Sequence, residues 1–240
     1  MSPDQNRNRN FKATSLVAFF FRQPGPVAAA VLVWCLLVQA AIAGDWHVRV
    51  EKVLDGDTVV LQGGERLRLR GIDAPEVGHH GAPGQYYGRE AGAELSALIS
   101  GQTLALDQAD LGRDRHGRLV GVARRGDGRL VNLAMIEHGA AFVYPHASDA
   151  DSGLARKMLV AQVTAMARGS GFWPVVLRSP VAQRGYVGNR NSKRFHTVSC
   201  PQGRMVGKAN RVHFSSLREA FEAGFAPARE CTPWPPARGR

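Results

Sequence analysis

Between Trp46 and Ile72 the chain is a train of short apolar stretches cut by turn residues, which commits this region to β structure. Val48 and Val50 alternate with charged neighbours, Thr58–Leu61 follows, then 67–72, with Asp55-Gly56 and Gln62-Gly63-Gly64-Glu65 between them. Runs this short, punctuated this often, form antiparallel strands rather than helices. Further strands are expected at 103–106 and 119–123, with 142–144 extended. Helical spacing appears at 89–100, where Ala91, Leu95, Leu98 and Ile99 share a face and Gly101 stops the run. A short helix is expected over 131–138. Ser152 caps another, carrying Leu154, Met158, Ala161 and Ala165 on one face and ending at Gly169. The pattern predicts a β-rich α+β fold: a five-stranded OB-type barrel covered by three helices, followed by a small C-terminal α+β module.

Export is the expected fate of the chain. Residues 1–26 are polar and positive, and an apolar run from 27 to 43 ends in Ala41-Ile42-Ala43 before Gly44. Small residues at those positions mark a signal-peptide cleavage site after Ala43. An uncleaved N-terminal anchor is the alternative, since such a run is at the short limit for a hydrocarbon core of ~30 Å. Either way residues from 44 onward are expected in the periplasm or outside the cell. Cys200 and Cys231 are then an even pair in an oxidising compartment. The expected layout is a main domain over 44–176, a linker over 177–190 and a small module over 191–234.

Apolar residues at 44% and charged residues at 21% exclude a wholly disordered chain. The net charge of +11 is unevenly placed. Residues 44–176 carry 15 basic against 16 acidic side chains, whereas 177–240 carry 12 against 3. The basic tail is therefore where extra contact with a polyanion is expected, and no protein partner is inferred.

Charged residues concentrate at strand ends and turns: Asp55-Gly56-Asp57-Thr58, then Arg68, then Asp73-Ala74-Pro75-Glu76, then Asp114-Arg115-His116-Gly117-Arg118. Hard oxygen donors such as Asp57 and Asp73 suit Ca²⁺ or Mg²⁺. Glu76 is placed to hold or deprotonate a water. Arg68 alternates with Leu67 and Leu69, so it leaves the face that those leucines bury. Two guanidinium forks, Arg68 and Arg118, match phosphate oxygens and oppose the charge of a pentacoordinate transition state. Together these groups make a site for a phosphodiester. Taken singly, each motif also reads as an ordinary turn or a solvated ion pair.

The stretches DGDTVVL at 55–61, RLRGIDAPE at 68–76, DRHGRLVG at 114–121 and Gly171-Phe172-Trp173 resemble the thermonuclease (staphylococcal-nuclease-like) family over about 46–176. The resemblance implies an OB-type barrel with three helices, and Ca²⁺-dependent cleavage of DNA and RNA to 3′-phosphate ends. It implies Asp57, Asp73 and the Ala74 carbonyl as calcium ligands, Glu76 as general base and Arg68 and Arg118 as phosphate-stabilising groups. Arg115, His116, Phe142 and Tyr144 correspond to substrate-contacting positions. Ala74 stands where the family also uses threonine, and His116 replaces a common tyrosine. A non-catalytic OB-type nucleic-acid-binding protein is the rival reading; pure binding would not require all of Asp57, Arg68, Asp73, Glu76 and Arg118. His79 and His80 are read as part of an exposed Gly-rich loop, with metal binding as the alternative.

The tail resembles an Ada-type zinc-binding module, with Phe195-His196, Cys200, 210–214, a helix from Ser216 and Cys231. Ser216 and Glu219 are spaced as a capping box, and Gly224 as the helix stop. His196, Cys200 and Cys231 offer three ligands, and Ala228 stands where a fourth is wanted. A Cys200–Cys231 disulfide is the simpler expectation, with zinc the alternative.

Overall fold

In the computed structural model the described residues are 44–78, 83–144, 152–182, 184–229, 231 and 234–237. The expected export segment and the pair His79 and His80 lie outside them. Strand β1 (Asp45–Val53) is the spine of the first sheet. Its first half pairs antiparallel with β5 (Thr103–Asp107) and its second with β2 (Thr58–Leu61), the register shifting between Val50 and Lys52. Next to β2 runs β3 (Arg66–Leu69), joined in parallel by β7 (Leu119–Gly121), whose outer edge carries β6 (Gly112–Arg113). At the opposite end β8 (Ala123–Arg125) pairs with β5. The strand order is β6-β7-β3-β2-β1-β5-β8. Only Val122 separates β7 from β8, so one short run of chain serves both ends of the sheet.

Alternation puts Val48, Val50, Val59, Leu61, Leu67, Leu69, Leu104 and Leu106 into one aliphatic core. Helix α1 (Gly88–Ile99) closes it with Leu95 and Ile99, and α2 (Val131–Glu137) with Ala134, Met135 and Ile136. Helix α3 (Gly153–Arg168) begins where Ser152 Oγ accepts the Ala155 N–H at 3.1 Å. The result is a β-rich α+β fold. It differs in detail from the expected five strands and three helices. The stretch 119–123 breaks at Val122, and 112–113 folds back on β7, so this sheet has seven strands. The described residues hold six helices, the others being α4 (Trp173–Arg178), α5 (Pro201–Arg204) and α6 (Leu217–Glu222). A two-strand ladder of β4 (Ile72–Asp73) and β9 (Phe142–Val143) stands apart from the large sheet.

The tail forms its own sheet: β10 (Tyr186–Asn189) lies between β11 (Arg194–Thr197) and β12 (Arg211–Phe214), and β13 (Ala226–Pro227) joins β11 in parallel. Strand β10 falls inside the stretch 177–190 that composition marks as linker. Its pairing partners all lie further along the chain, so no local signal announces it. The described residues pack as one compact unit. A second core joins Phe142, Phe172 and Trp173 to Tyr186, Phe195, Phe214 and Phe221. Phe221 sits 4.9 Å from Trp173 and 5.6 Å from Phe142, ring centre to ring centre.

Cys200 and Cys231 form a disulfide. His196 Nδ1 lies 3.7 Å from Cys200 Sγ, but among the described residues no three His, Cys, Asp or Glu side chains converge as a metal-binding group. The zinc alternative therefore finds no ligand set here. At α6 the Ser216 hydroxyl accepts the Glu219 N–H at 3.2 Å. The Glu219 carboxylate turns instead to the Ser215 N–H and hydroxyl, at 2.6 and 2.7 Å, so the reciprocal half of the capping box is displaced by one residue.

Candidate active site

Strand β3 presents Arg68 between two buried carboxylates. Its guanidinium makes ion pairs with Asp57 and Asp73 and donates to the Ile72 carbonyl at 3.3 Å. Asp57 precedes β2, and its side chain turns inward. It accepts the Thr58 hydroxyl at 2.8 Å and the Ala74 N–H at 2.8 Å. Asp57 thereby fastens the turn before β2 to the segment after β4. Burial pushes the Asp57 carboxyl upward, but Arg68 and these hydrogen bonds outweigh it and hold it below its ordinary value. Asp73 is raised to about 7, by burial first, with the charges of Asp57 and Glu76 adding to it against the opposing pull of Arg68. Asp55 is likewise raised to about 7, by burial and then by Asp57. Asp57 and Asp73 thus share one ion-paired guanidinium, with the charge of Arg194 acting on Asp73 from the tail sheet.

Glycines let the acidic turns close up. A Cβ on Gly56 would stand 2.6 Å from the Ala74 Cβ and 2.7 Å from the Ala91 Cβ, so α1 and the 73–76 segment both press on this residue. Gly88, the first residue of α1, meets the Glu76 carbonyl, which an added Cβ would approach to 2.4 Å. Glu76 is further fixed by Gln85, whose side-chain oxygen accepts the Glu76 N–H at 2.8 Å and whose N–H donates to the Glu76 carbonyl at 2.9 Å. Its own carboxylate is exposed. It lines a small cavity of about 170 Å³ with Asp73, Ala74, Phe142, Arg229 and Trp234.

Arg118 is positioned by Asp114, which accepts from its Nε at 2.8 Å and its Nη2 at 2.7 Å. The other Asp114 oxygen accepts the N–H groups of His116 and Arg118, at 2.9 and 3.1 Å, and so shapes the turn. Arg68, Arg118, Arg115, His116 and Tyr144 line a second cavity of about 450 Å³, together with Arg70 and Arg229. The structure therefore brings Arg68 and Arg118, the two arginines expected to face phosphate, to one cavity, and Glu76 lines the cavity of about 170 Å³ as well as another shared with Tyr86, Tyr87 and Arg89. Arg229 borders the Arg68–Arg118 cavity and the one of about 170 Å³.

Some expected placements differ. Phe142 is not presented to the cleft as a stacking surface. Its ring is 3% exposed and packs against Phe172, Phe221 and Trp234, because β9 turns this side chain into the aromatic core. Tyr144 does border the cleft, but the Arg194 guanidinium lies over its ring, 3.2 Å from the centroid. Ala74 engages Asp57 through its N–H. Sequence reasoning missed Arg194, Arg229 and Trp234. Trp234 donates from its indole to the Tyr86 carbonyl at 3.0 Å across a separation of 148 residues, and no local pattern encodes such a contact.

The donor chemistry fits a hard divalent cation. Asp57 and Asp73 offer oxygens only, which is what such an ion binds. No cluster of three acidic, His or Cys side chains forms among the described residues, so the remaining donors would be carbonyl, water or substrate phosphate.

Comparison with known proteins gives the family. Residues 66–175 match the staphylococcal nuclease homologue family, a span that contains Arg68, Asp73, Glu76 and Arg118. The succinoglycan biosynthesis protein ExoI of Rhizobium meliloti (strain 1021) is 34% identical over 169 residues, covering 68% of this chain and 83% of that protein. An uncharacterized endonuclease of Escherichia coli O157:H7 is 36% identical over 122 residues, 50% of this chain and 71% of that one. The thermonuclease of Staphylococcus intermedius is 30% identical over 95 residues, 38% of this chain and 56% of that protein. With acids, arginines and an exposed glutamate around these adjoining cavities, this chain is a nuclease, a phosphodiester hydrolase acting on nucleic acid, and it belongs to the staphylococcal nuclease homologue family.

Proposed function

We propose that the protein is an exported, Ca²⁺-dependent nuclease that cleaves both DNA and RNA to 3′-phosphate ends, working on an OB-type barrel closed through β7 and β8. The observation that carries this reading is Arg68, held between Asp57 and Asp73 at a cavity that Arg118 shares and beside the exposed Glu76. Glu76 takes a proton from water, and the resulting hydroxide attacks phosphorus. The 5′-oxygen leaves with the bonding pair and picks up a proton, so the phosphate stays on the 3′ side. Arg68 and Arg118 face the phosphoryl oxygens as negative charge grows on them. Asp57, Asp73 and the Ala74 carbonyl would hold Ca²⁺, which when bound supplies charge neutralisation at the phosphate. Export is supported by the apolar run before Gly44 and by the disulfide, a bond favoured outside the cytoplasm. No helix among the described residues is long and apolar enough to cross a membrane.

The test is calcium-dependent cleavage of single-stranded DNA and RNA by folded variants. Glu76→Gln keeps shape but loses basicity, and turnover should fall by the ~10²–10⁴ typical of a lost general base. Arg68→Lys and Arg118→Lys lose the planar fork and should each cost orders of magnitude. Asp57→Asn and Asp73→Asn should chiefly raise the Ca²⁺ concentration needed. Wild-type rates in folded Glu76→Gln, Arg68→Lys and Arg118→Lys together would overturn the assignment.

A further inference from the structure

The aromatic rings that border the cleft are engaged by other side chains: Phe142 and Trp234 line the Glu76 cavity but pack on each other, 5.5 Å between ring centres. Phe142 is packed in the second core, and Tyr144 has one face covered by Arg194 of the tail sheet. The cleft is also bordered by cations: Arg68, Arg70, Arg115 and Arg118 from the large sheet, and Arg229 from the tail. Arg229 is exposed, and it is the residue common to the Glu76 cavity and the Arg68–Arg118 cavity.

Its backbone is fastened on both sides. Before it, the Ala228 N–H donates to the Phe195 carbonyl at 2.9 Å, and β13 is paired with β11. After it, Cys231 is bonded to Cys200. Further along, the Tyr86 N–H donates to the Pro235 carbonyl and the Ala237 N–H to the Gly84 carbonyl, each at 2.9 Å. This segment is thus tied to the residues flanking Gln85, which themselves hold Glu76.

We propose that the C-terminal segment completes the substrate cleft, and that Arg229 binds a backbone phosphate adjoining the scissile one. Substrate is then recognised through a row of phosphates, and the disulfide sets the position of one cation in that row. The inference rests on the nuclease reading of the site and extends it to a region outside the family match at 66–175.

Steady-state cleavage of a short single-stranded oligothymidylate, measured across salt concentrations, tests it. Arg229→Ala should raise KM about tenfold with kcat held within about twofold, since the contact is made equally in ground and transition states. The slope of log KM against log salt should fall by about 0.7, the value for one phosphate contact on a single strand. Arg229→Lys keeps the charge and should restore most of that slope, which a purely structural role would not. Reducing the disulfide should raise KM in the wild type and add little in Arg229→Ala. An unchanged KM and salt slope in Arg229→Ala would overturn the inference, as would a loss of kcat alone. Cleavage at the wild-type rate by folded Glu76→Gln, Arg68→Lys and Arg118→Lys alike would instead sink the catalytic reading. In that event, equilibrium binding of the same oligothymidylate still reads the contribution of Arg229.

Discussion

The two cores of the molecule are built from different side chains and from different stretches of chain. Under the large sheet lie Val59, Leu61, Leu67, Leu69, Leu104 and Leu106, drawn from neighbouring strands. The second core is rich in aromatic rings, and its members run from Phe142 to Ala226 across what composition divides into domain, linker and module. Aliphatic chains fill space without preferred contact angles. Aromatic rings meet edge to face and add about 0.5–1.5 kcal/mol per pair beyond burial. Several pairs here have that geometry, including Trp173–Phe221 and Phe195–Phe221. The candidate site stands where the cores meet: Asp73 is the ladder partner of Phe142, and the two side chains border the same small cavity. A tail that helps hold Phe142 therefore helps hold the site.

If the seam is structural, the largest loss of stability should come from its central ring. Phe221 packs against Phe142, Trp173 and Phe195. Phe221→Ala should destabilise by about 3–5 kcal/mol, lowering Tm by about 2–4 °C per kcal/mol in a protein of this size. Hydrogen exchange in β1 and β2 should quicken in step with exchange in β10 and β11. Faster exchange in the tail sheet alone would make the two regions separate folding units and break the comparison.

The disulfide comes next. It closes a loop with a sequence separation of 31 residues, which the chain-entropy account values at roughly 3.7 kcal/mol. The double change Cys200→Ser with Cys231→Ser should lower thermal stability by about that amount. A Tm equal to that of the wild type would show that the aromatic seam alone secures the tail.

How far the sequence reveals all this follows the same division. Helices α1, α2 and α3 announce themselves by period and caps, and their ends fall within a residue or two of expectation. The grouping of Asp57, Arg68 and Asp73 is legible because turns between paired strands bring 57, 68 and 73 together. The role of Gly56 is not legible: Asp55-Gly56 looks like a turn pair, whereas the glycine is required by the approach of Ala74 and Ala91. The burial of Phe142 is hidden because β9 is two residues long and has no period to read. Arg229 and Trp234 reach the cleft through contacts between distant parts of the chain, which spacing along a sequence does not carry.

Gln162 gives the finest test of coupling between the cores. It is fully buried on α3, accepting the Val143 N–H at 2.7 Å and donating to the Phe221 carbonyl at 2.8 Å. One side chain therefore links β9, beside the acids, to α6 of the tail. Gln162→Leu removes both partners and leaves a buried donor and a buried acceptor unmatched, which should cost about 1–3 kcal/mol. Gln162→Glu separates the two halves of the link. The protonated carboxyl can still accept from Val143 and donate to Phe221, but the ionised form has no donor and is penalised by burial, so its folded pKa must be raised above that of the unfolded chain. Relative to wild type, this variant should be nearly as stable below about pH 4, near the unfolded value for Glu, and should lose stability as pH rises through the folded pKa. Melting temperatures of both proteins across pH decide it. A Gln162→Glu deficit that stays flat with pH would mean that the bond to Phe221 does not tie the two cores together.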